Sequence, residues 1–236
     1  MAMYKSIVFC FIVSFCFFQM GFAQDEVSND SIVDTKYRED QFYLGATYNV
    51  LINKPENVSQ SGFSIGLHLG FIRDFPINNA RTKAIGVGLG LSTNTYNQNL
   101  LINDDVNSTE FVVLDNTQID FSKNKFFTHL IELPIEYRWR TSTPTSYKFW
   151  RIYGGFKLGY IFRNGTRFEG DLGSLKTINS DAFQKIQYGL TLTTGYNTWN
   201  FHVYYGLNAL FKDQVTSEQE PLDLSEIRVG LMFYLL

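Results

Sequence analysis

Residues 131–139 read IELPIEYRW, with Ile131, Leu133, Ile135, Tyr137 and Trp139 at every second place and Glu132, Pro134, Glu136 and Arg138 between them. A period of two sends the two sets to opposite faces of an extended strand, whereas a helix would wrap both around its axis. One face is greasy and the other charged. Phe127 carries the apolar set upstream.

The same alternation recurs on either side. Upstream it runs through Phe42–Ile52, Phe63–Phe71 and Ile85–Leu91; downstream through Trp150–Phe162, Ile186–Tyr196, Trp199–Leu207 and Ile227–Leu235. That makes eight segments, each about the 9–11 residues that a tilted strand needs to cross a bilayer. Soluble eight-stranded barrels alternate too, so the direction of the apolar face decides between them. The opposite face is rich in glycine, including Gly66, Gly70, Gly86, Gly88, Gly90, Gly155, Gly159, Gly189, Gly195, Gly206 and Gly230. Strand glycines on a water-facing surface weaken the sheet to no purpose. In a narrow lumen they leave room for large polar side chains. The apolar face therefore meets lipid.

The expected architecture is all-β: an eight-stranded antiparallel up-and-down transmembrane β-barrel over residues 41–236. Its third and fifth connections (about 94–126 and 164–185) are long and its sixth, Asn197-Thr198, is a tight turn, as in outer-membrane barrels with long outer loops and short periplasmic turns. Within the third connection, Glu110–Leu114 and Gln118–Phe121 are read as a hairpin. Trp139, Trp150 and Trp199 all take the lipid-facing parity at the predicted periplasmic edge, as an aromatic girdle requires.

The N-terminus is an export signal. Lys5 precedes an apolar run, Ile7–Phe18, and Gly21-Phe22-Ala23 supplies the small residues of a cleavage site. Residues 1–23 are expected to be removed after Ala23, and 24–40 to form a charged, aperiodic periplasmic lead-in. Cys10 and Cys16 leave with the signal, so the mature chain has no thiol for a disulfide, a metal or nucleophilic catalysis. Loss of Lys5 takes the formal charge from −3 to −4. No basic stripe suggests nucleic acid.

Residues 228–235 (RVGLMFYL) end the chain with Arg228, Gly230, Phe233 and Leu235 in the spacing of the signal read by the barrel-assembly machinery. His129–Trp139, followed by Tyr153–Tyr160 (YGGFKLGY), resembles the central motif of the PorT-like outer-membrane β-barrel family of Bacteroidota. That resemblance implies an eight-stranded barrel and is almost silent on activity. The name-giving member belongs to a type IX secretion apparatus.

Inward parity gathers Glu132, Glu136, Arg138, Arg151, Lys157 and Arg228 in the lumen. If Trp139 faces Trp150, Glu132 faces Lys157 and Arg138 faces Arg151. Such a set is a gate or small-anion site in one reading, and in the favoured one a paired network filling a narrow tube, where an unpaired charge would be costly. His129 has lipid-facing parity and cannot join His68 and His202, and no Ser or Asp stands beside a histidine as in a nucleophile–base pair. Neither a catalytic residue nor a cofactor or metal ligand is assigned. Asp104, Asp105, Asp115 and Asp120 in the third connection could hold calcium, although their spacing is not that of an EF-hand loop and a merely solvated acidic loop is the favoured reading. The expected partners are outer-membrane lipid, the assembly machinery during biogenesis, and an envelope or secretion protein. The expected role is structural or interactive rather than enzymatic: a barrel that anchors external loops. A narrow passive pore is the alternative, and a barrel enzyme comes third.

Overall fold

The computed structural model describes residues 40–104, 109–115, 119–141, 149–212, 215–217 and 219–235. The expected signal peptide, 1–23, and the lead-in up to residue 39 lie outside the described residues. The strands are β1 (Gln41–Ile52), β2 (Ile65–Pro76), β3 (Lys83–Asn97), β4 (Leu100–Asp104), β5 (Thr109–Val113), β6 (Phe121–Arg140), β7 (Trp150–Gly170), β8 (Gly173–Ile178), β9 (Ile186–Tyr196), β10 (Trp199–Gly206) and β11 (Ser225–Leu235). Among the described residues there is no helix.

Eight strands close on themselves. Each of β1, β2, β3, β6, β7, β9, β10 and β11 pairs antiparallel with the next, and β11 returns to β1. The closing ladder runs from Phe42 opposite Leu235 to Ile52 opposite Ser225. Closure leaves the eight-stranded ring no free edge, which is what allows a sheet to sit in hydrocarbon. The β3–β6 ladder breaks between Val87–Ile135 and Gly90–Glu132, a gap that holds Leu133 and Pro134, where the missing proline N–H cannot donate.

Outside the tube, Phe42, Leu44, Leu67, Leu69, Leu89, Leu133, Ile135, Phe156, Leu158, Leu190, Leu192 and Leu231 are exposed, which forms the continuous apolar belt. Inside, space is shared between glycine and its neighbours. The Tyr43 ring lies over Gly70 and Gly90, and the Tyr204 ring over Gly189, where a β-carbon would collide with it.

Two strands outgrow the barrel. β6 and β7 pair from Arg140 opposite Arg151 to Phe121 opposite Gly170, and β8 folds back on the far end of β7, pairing Gly165–Gly170 with Gly173–Ile178. A bulge punctuates this extension. Leu130 pairs with Ile161 and His129 with Arg163, which leaves Phe162 as the extra residue. Phe162 and Arg163 both point outward, and the inward set then shifts to Asn164, Thr166 and Phe168.

The third connection differs from its expected form. Its hairpin pairs Leu100–Asp104 with Thr109–Val113, not 110–114 with 118–121. Asn99 clamps the ends of that hairpin, accepting from the Leu114 N–H at 2.8 Å and donating its amide to the Leu114 carbonyl at 3.1 Å. Phe121 is taken instead into β6, opposite Gly170.

Candidate functional site: a filled and capped lumen

Among the described residues, four carboxylates (Asp74, Glu132, Glu136 and Glu226) and five cations (Arg138, Arg140, Arg151, Lys157 and Arg228) are buried. A charge in so dry a space persists only when paired and hydrogen-bonded, and the geometry shows how most of these are.

At mid-barrel, Glu132 is the hub. Its carboxylate lies 3.0 Å from Arg228 Nη1, 3.1 Å from Lys157 Nζ and 3.8 Å from His68 Nδ1, and it accepts from the Ser92 hydroxyl at 2.8 Å. Arg228 also pairs with Glu226 at 2.5 Å and sits 4.4 Å over the Tyr204 ring. Tyr96 donates to Glu226. Thr47 and Thr193 hydrogen-bond the rings of His68 and His202 at 3.0 and 2.7 Å.

Nearer the end of the barrel where Arg140 faces Arg151 a second group forms. Asp74 bridges Arg138 and Arg140, and Arg138 also donates to the Gln41 side-chain carbonyl. Glu136 lies 3.7 Å from Arg138, whose guanidinium stacks 4.1 Å from the Tyr153 ring. Between the two groups Tyr43, Ile72, Glu136, Lys157, His202, Met232 and Tyr234 enclose a cavity of about 10 Å³, enough for about one water.

The opposite mouth is closed by a small apolar core. Rings of Tyr96 and Phe126 stack at 4.7 Å, Phe126 meets Phe183 and Phe211 at 5.7 and 5.5 Å, and Phe111 from the β5 hairpin meets Phe211 at 5.1 Å. Leu51, Val58, Leu100, Ile102, Leu210, Leu222 and Leu224 complete it. The Ser217 N–H donates to the Phe111 carbonyl at 2.8 Å, which ties two loops of this mouth together.

Of the six lumen residues named from sequence, Glu132, Lys157 and Arg228 meet at the hub, and Glu136 and Arg138 meet at the rim. Arg151 joins neither, donating to the Asn197 carbonyl at 2.6 Å and lying 4.5 Å from the Phe149 ring. The expected register is corrected by two residues: Trp139 faces Ile152, not Trp150, and Arg138 faces Tyr153, not Arg151. A two-residue slide leaves every side chain on its own face, so Glu132 still reaches Lys157 along a diagonal. Gln41, Asp74, Arg140 and Glu226 were not foreseen in the network. Phe71, Arg73 and Phe75 continue the outward alternation of β2, a pattern that would have put Asp74 inside.

Trp150 and Trp199 are 57% and 65% exposed on the outer surface, packed on Tyr196 and Phe233, and Trp139 lies on the same face half-buried. In β11, Arg228 points inward, Leu235 lies outside, and Gly230 abuts the Ala46 carbonyl of β1. Asp104 accepts from Thr109 at 2.5 Å, Asp120 and Asp171 join loop to loop, and Asp105 lies outside the described residues. Among the described residues no group of three or more His, Cys, Asp or Glu could hold a metal.

A closed ring of eight antiparallel strands with a lipid-sized apolar belt and a polar, filled interior is a transmembrane β-barrel of the outer-membrane class. The chain belongs to the outer membrane protein beta-barrel domain family, whose model matches residues 22–212. β11, which completes the ring, lies beyond that match. No curated protein matches the chain. Among solved structures it is similar to Ail, the attachment invasion locus protein of Yersinia pestis, in complex with the heparin analogue sucrose octasulfate. That likeness has 11% identity and a TM-score of 0.36 over 84% of this chain and 99% of the other.

Proposed function

We propose that this outer-membrane barrel is a sealed anchor. It holds an external platform, made of the β6–β7–β8 extension and the loops over the mouth, against a partner in the cell envelope. The observation that carries this reading is the double closure of the tube. A charge network fills the middle, and the aromatic cap around Phe126 and Phe211 shuts the outer end. Eight strands enclose only enough room for side chains, and here that room is used. The long outer connections and the short turn at Asn197-Thr198 support an orientation with the cap outside.

On the same reading the role is non-enzymatic, and residues 1–23 direct export and are cleaved, leaving Gln24 first. The motif at 129–139 supports a PorT-like identity within the family, and with it an accessory role in a secretion or envelope machine. Residues Arg228, Gly230, Phe233 and Leu235 serve the assembly machinery. The test is conductance in planar bilayers beside site-directed photo-crosslinking from the platform in native outer membranes. A silent bilayer and a discrete crosslinked envelope protein are expected. Stable single-channel steps would replace the anchor by a narrow pore.

A further inference from the structure

The outward face of the β6–β7–β8 extension carries cations in a row. Lys125 on β6 is the Cα partner of Arg167 on β7, and Arg167 is the partner of Lys176 on β8. Partners in an antiparallel ladder share a face, so three cations stand abreast over two strand spacings, about 10 Å. Like charges directly opposite one another destabilise a sheet, so folding alone does not explain the row. Glu169 lies 2.7 Å from Lys123 and 2.5 Å from Arg167. Hydrogen bonds from Lys123 and then Arg167 hold its carboxyl below the ordinary range. Among the described residues, no carboxylate pairs with Lys125 or Lys176.

The height of the row is as telling as its charge. Phe127, His129 and Phe162 form an aromatic shelf on the same outer surface, with ring centroids 5.3 and 6.1 Å apart along the chain of contacts. Ile131, Leu133, Leu158 and Tyr160 continue the apolar belt below it. Lys125 stands two residues beyond Phe127, which on a strand tilted by about 40° is roughly 5 Å further from the bilayer centre. That is headgroup depth. Arg163, opposite His129, also points outward beside the shelf, and exposed Lys185 lies next to it, 3.6 Å from Asp181; on the other strands Ile65, Thr93, Thr95, Tyr205 and Ile227 occupy outward places.

We propose that this face binds the phosphate groups of a glycolipid of the outer leaflet. Lys125, Arg167 and Lys176 take the phosphates, and the shelf of Phe127, His129 and Phe162 takes the adjoining acyl segments. The inference rests on the orientation adopted above.

The test uses the full mature chain refolded in detergent and titrated with phosphorylated lipid A, its dephosphorylated form, or inorganic phosphate. Tighter binding of the phosphorylated lipid is expected, fading as ionic strength rises. Removing each charge should weaken it about fivefold. The combined Lys125→Gln, Arg167→Gln, Lys176→Gln variant should lose roughly a hundredfold, by the same reckoning. Equal binding of the two lipids, undiminished binding by the variant, or displacement by inorganic phosphate at equal concentration would overturn the proposal. Should the variant not fold, the parent's preference for phosphate and its salt dependence still decide. Labelling of Lys212→Cys by an impermeant thiol reagent on intact cells tests orientation separately. If the thiol is reached and the lipids are not discriminated, the inference falls and the anchor stands.

Discussion

Glu132 Oε2 lies 3.1 Å from Lys157 Nζ although the two are not ladder partners, since Lys157 pairs with Pro134, two residues along β6. Glu132 also holds Arg228, His68 and Ser92, while Lys157 has Glu132 as its ion-pair partner among the described residues. The two ends of this pair are therefore unequal. Lys157→Met should lower the unfolding temperature in detergent, and Glu132→Leu should cost more, about 3–5 kcal/mol, because it strands buried Lys157 and leaves Arg228 to Glu226 alone. Equal losses, or none, in urea titrations in liposomes would remove the hub.

Gly90 has no room for a methyl group, because the Tyr43 hydroxyl occupies that space and the Leu69 carbonyl is 2.9 Å from it. Gly90→Ala should destabilise by about 1–3 kcal/mol, the usual cost of overpacking. The Tyr43 hydroxyl has no hydrogen-bond partner among the described groups. Tyr43→Phe should therefore be cheap alone and should restore part of the loss in the double variant. A double-mutant cycle with additive costs would contradict the fit.

Leu133 is 39% exposed on the lipid face. Leu133→Arg should cost about 2–4 kcal/mol when unfolding is followed in a bilayer, as a charge near the midplane does. Thr191, which points into the tube, is the control, and Thr191→Ser should cost less than about 1 kcal/mol. A glycine-to-serine change at Gly189 is no such control, although lumen glycines read as spare room from sequence alone. A β-carbon there would strike the Tyr205 carbonyl and, at 2.6 Å, the Tyr204 ring.

Phe211 touches rings from three other segments of the outer mouth. Phe211→Ala should loosen the loops without opening a channel, since the Glu132 hub lies beneath. Limited proteolysis of intact cells should cut the outer loops faster while the barrel fragment survives. A variant that conducts ions would show the cap to be the sole seal.

Face assignment was legible in β1–β3, in β9–β11 and in the parts of β6 and β7 within the barrel because membrane strands obey one rule, apolar out and polar in, and a side chain's face depends only on parity. Register was not legible. Sliding β7 by two residues moves no side chain to the other face, so aligning Trp139 with Trp150 satisfied the pattern and was still wrong. Asp74, Arg140 and Glu226 were read as connection because strands were ended where large apolar residues thin out. The cap was missed for the opposite reason. Beyond the bilayer the inward places turn apolar, at Tyr96 on β3, Phe126 on β6 and Phe183 before β9, and the alternation that marks the strands below dissolves there.

The extra residue at Phe162 works as a reading-frame shift in three dimensions. Beneath it β7 shows even-numbered side chains to the lipid; above it, odd-numbered ones. Delete one residue at that point and Arg167 would swing into the mouth while Phe168 faced the water outside. Length at this position is therefore part of the message, and an indel that most outer loops would tolerate should here exchange the inside and the outside of everything that follows.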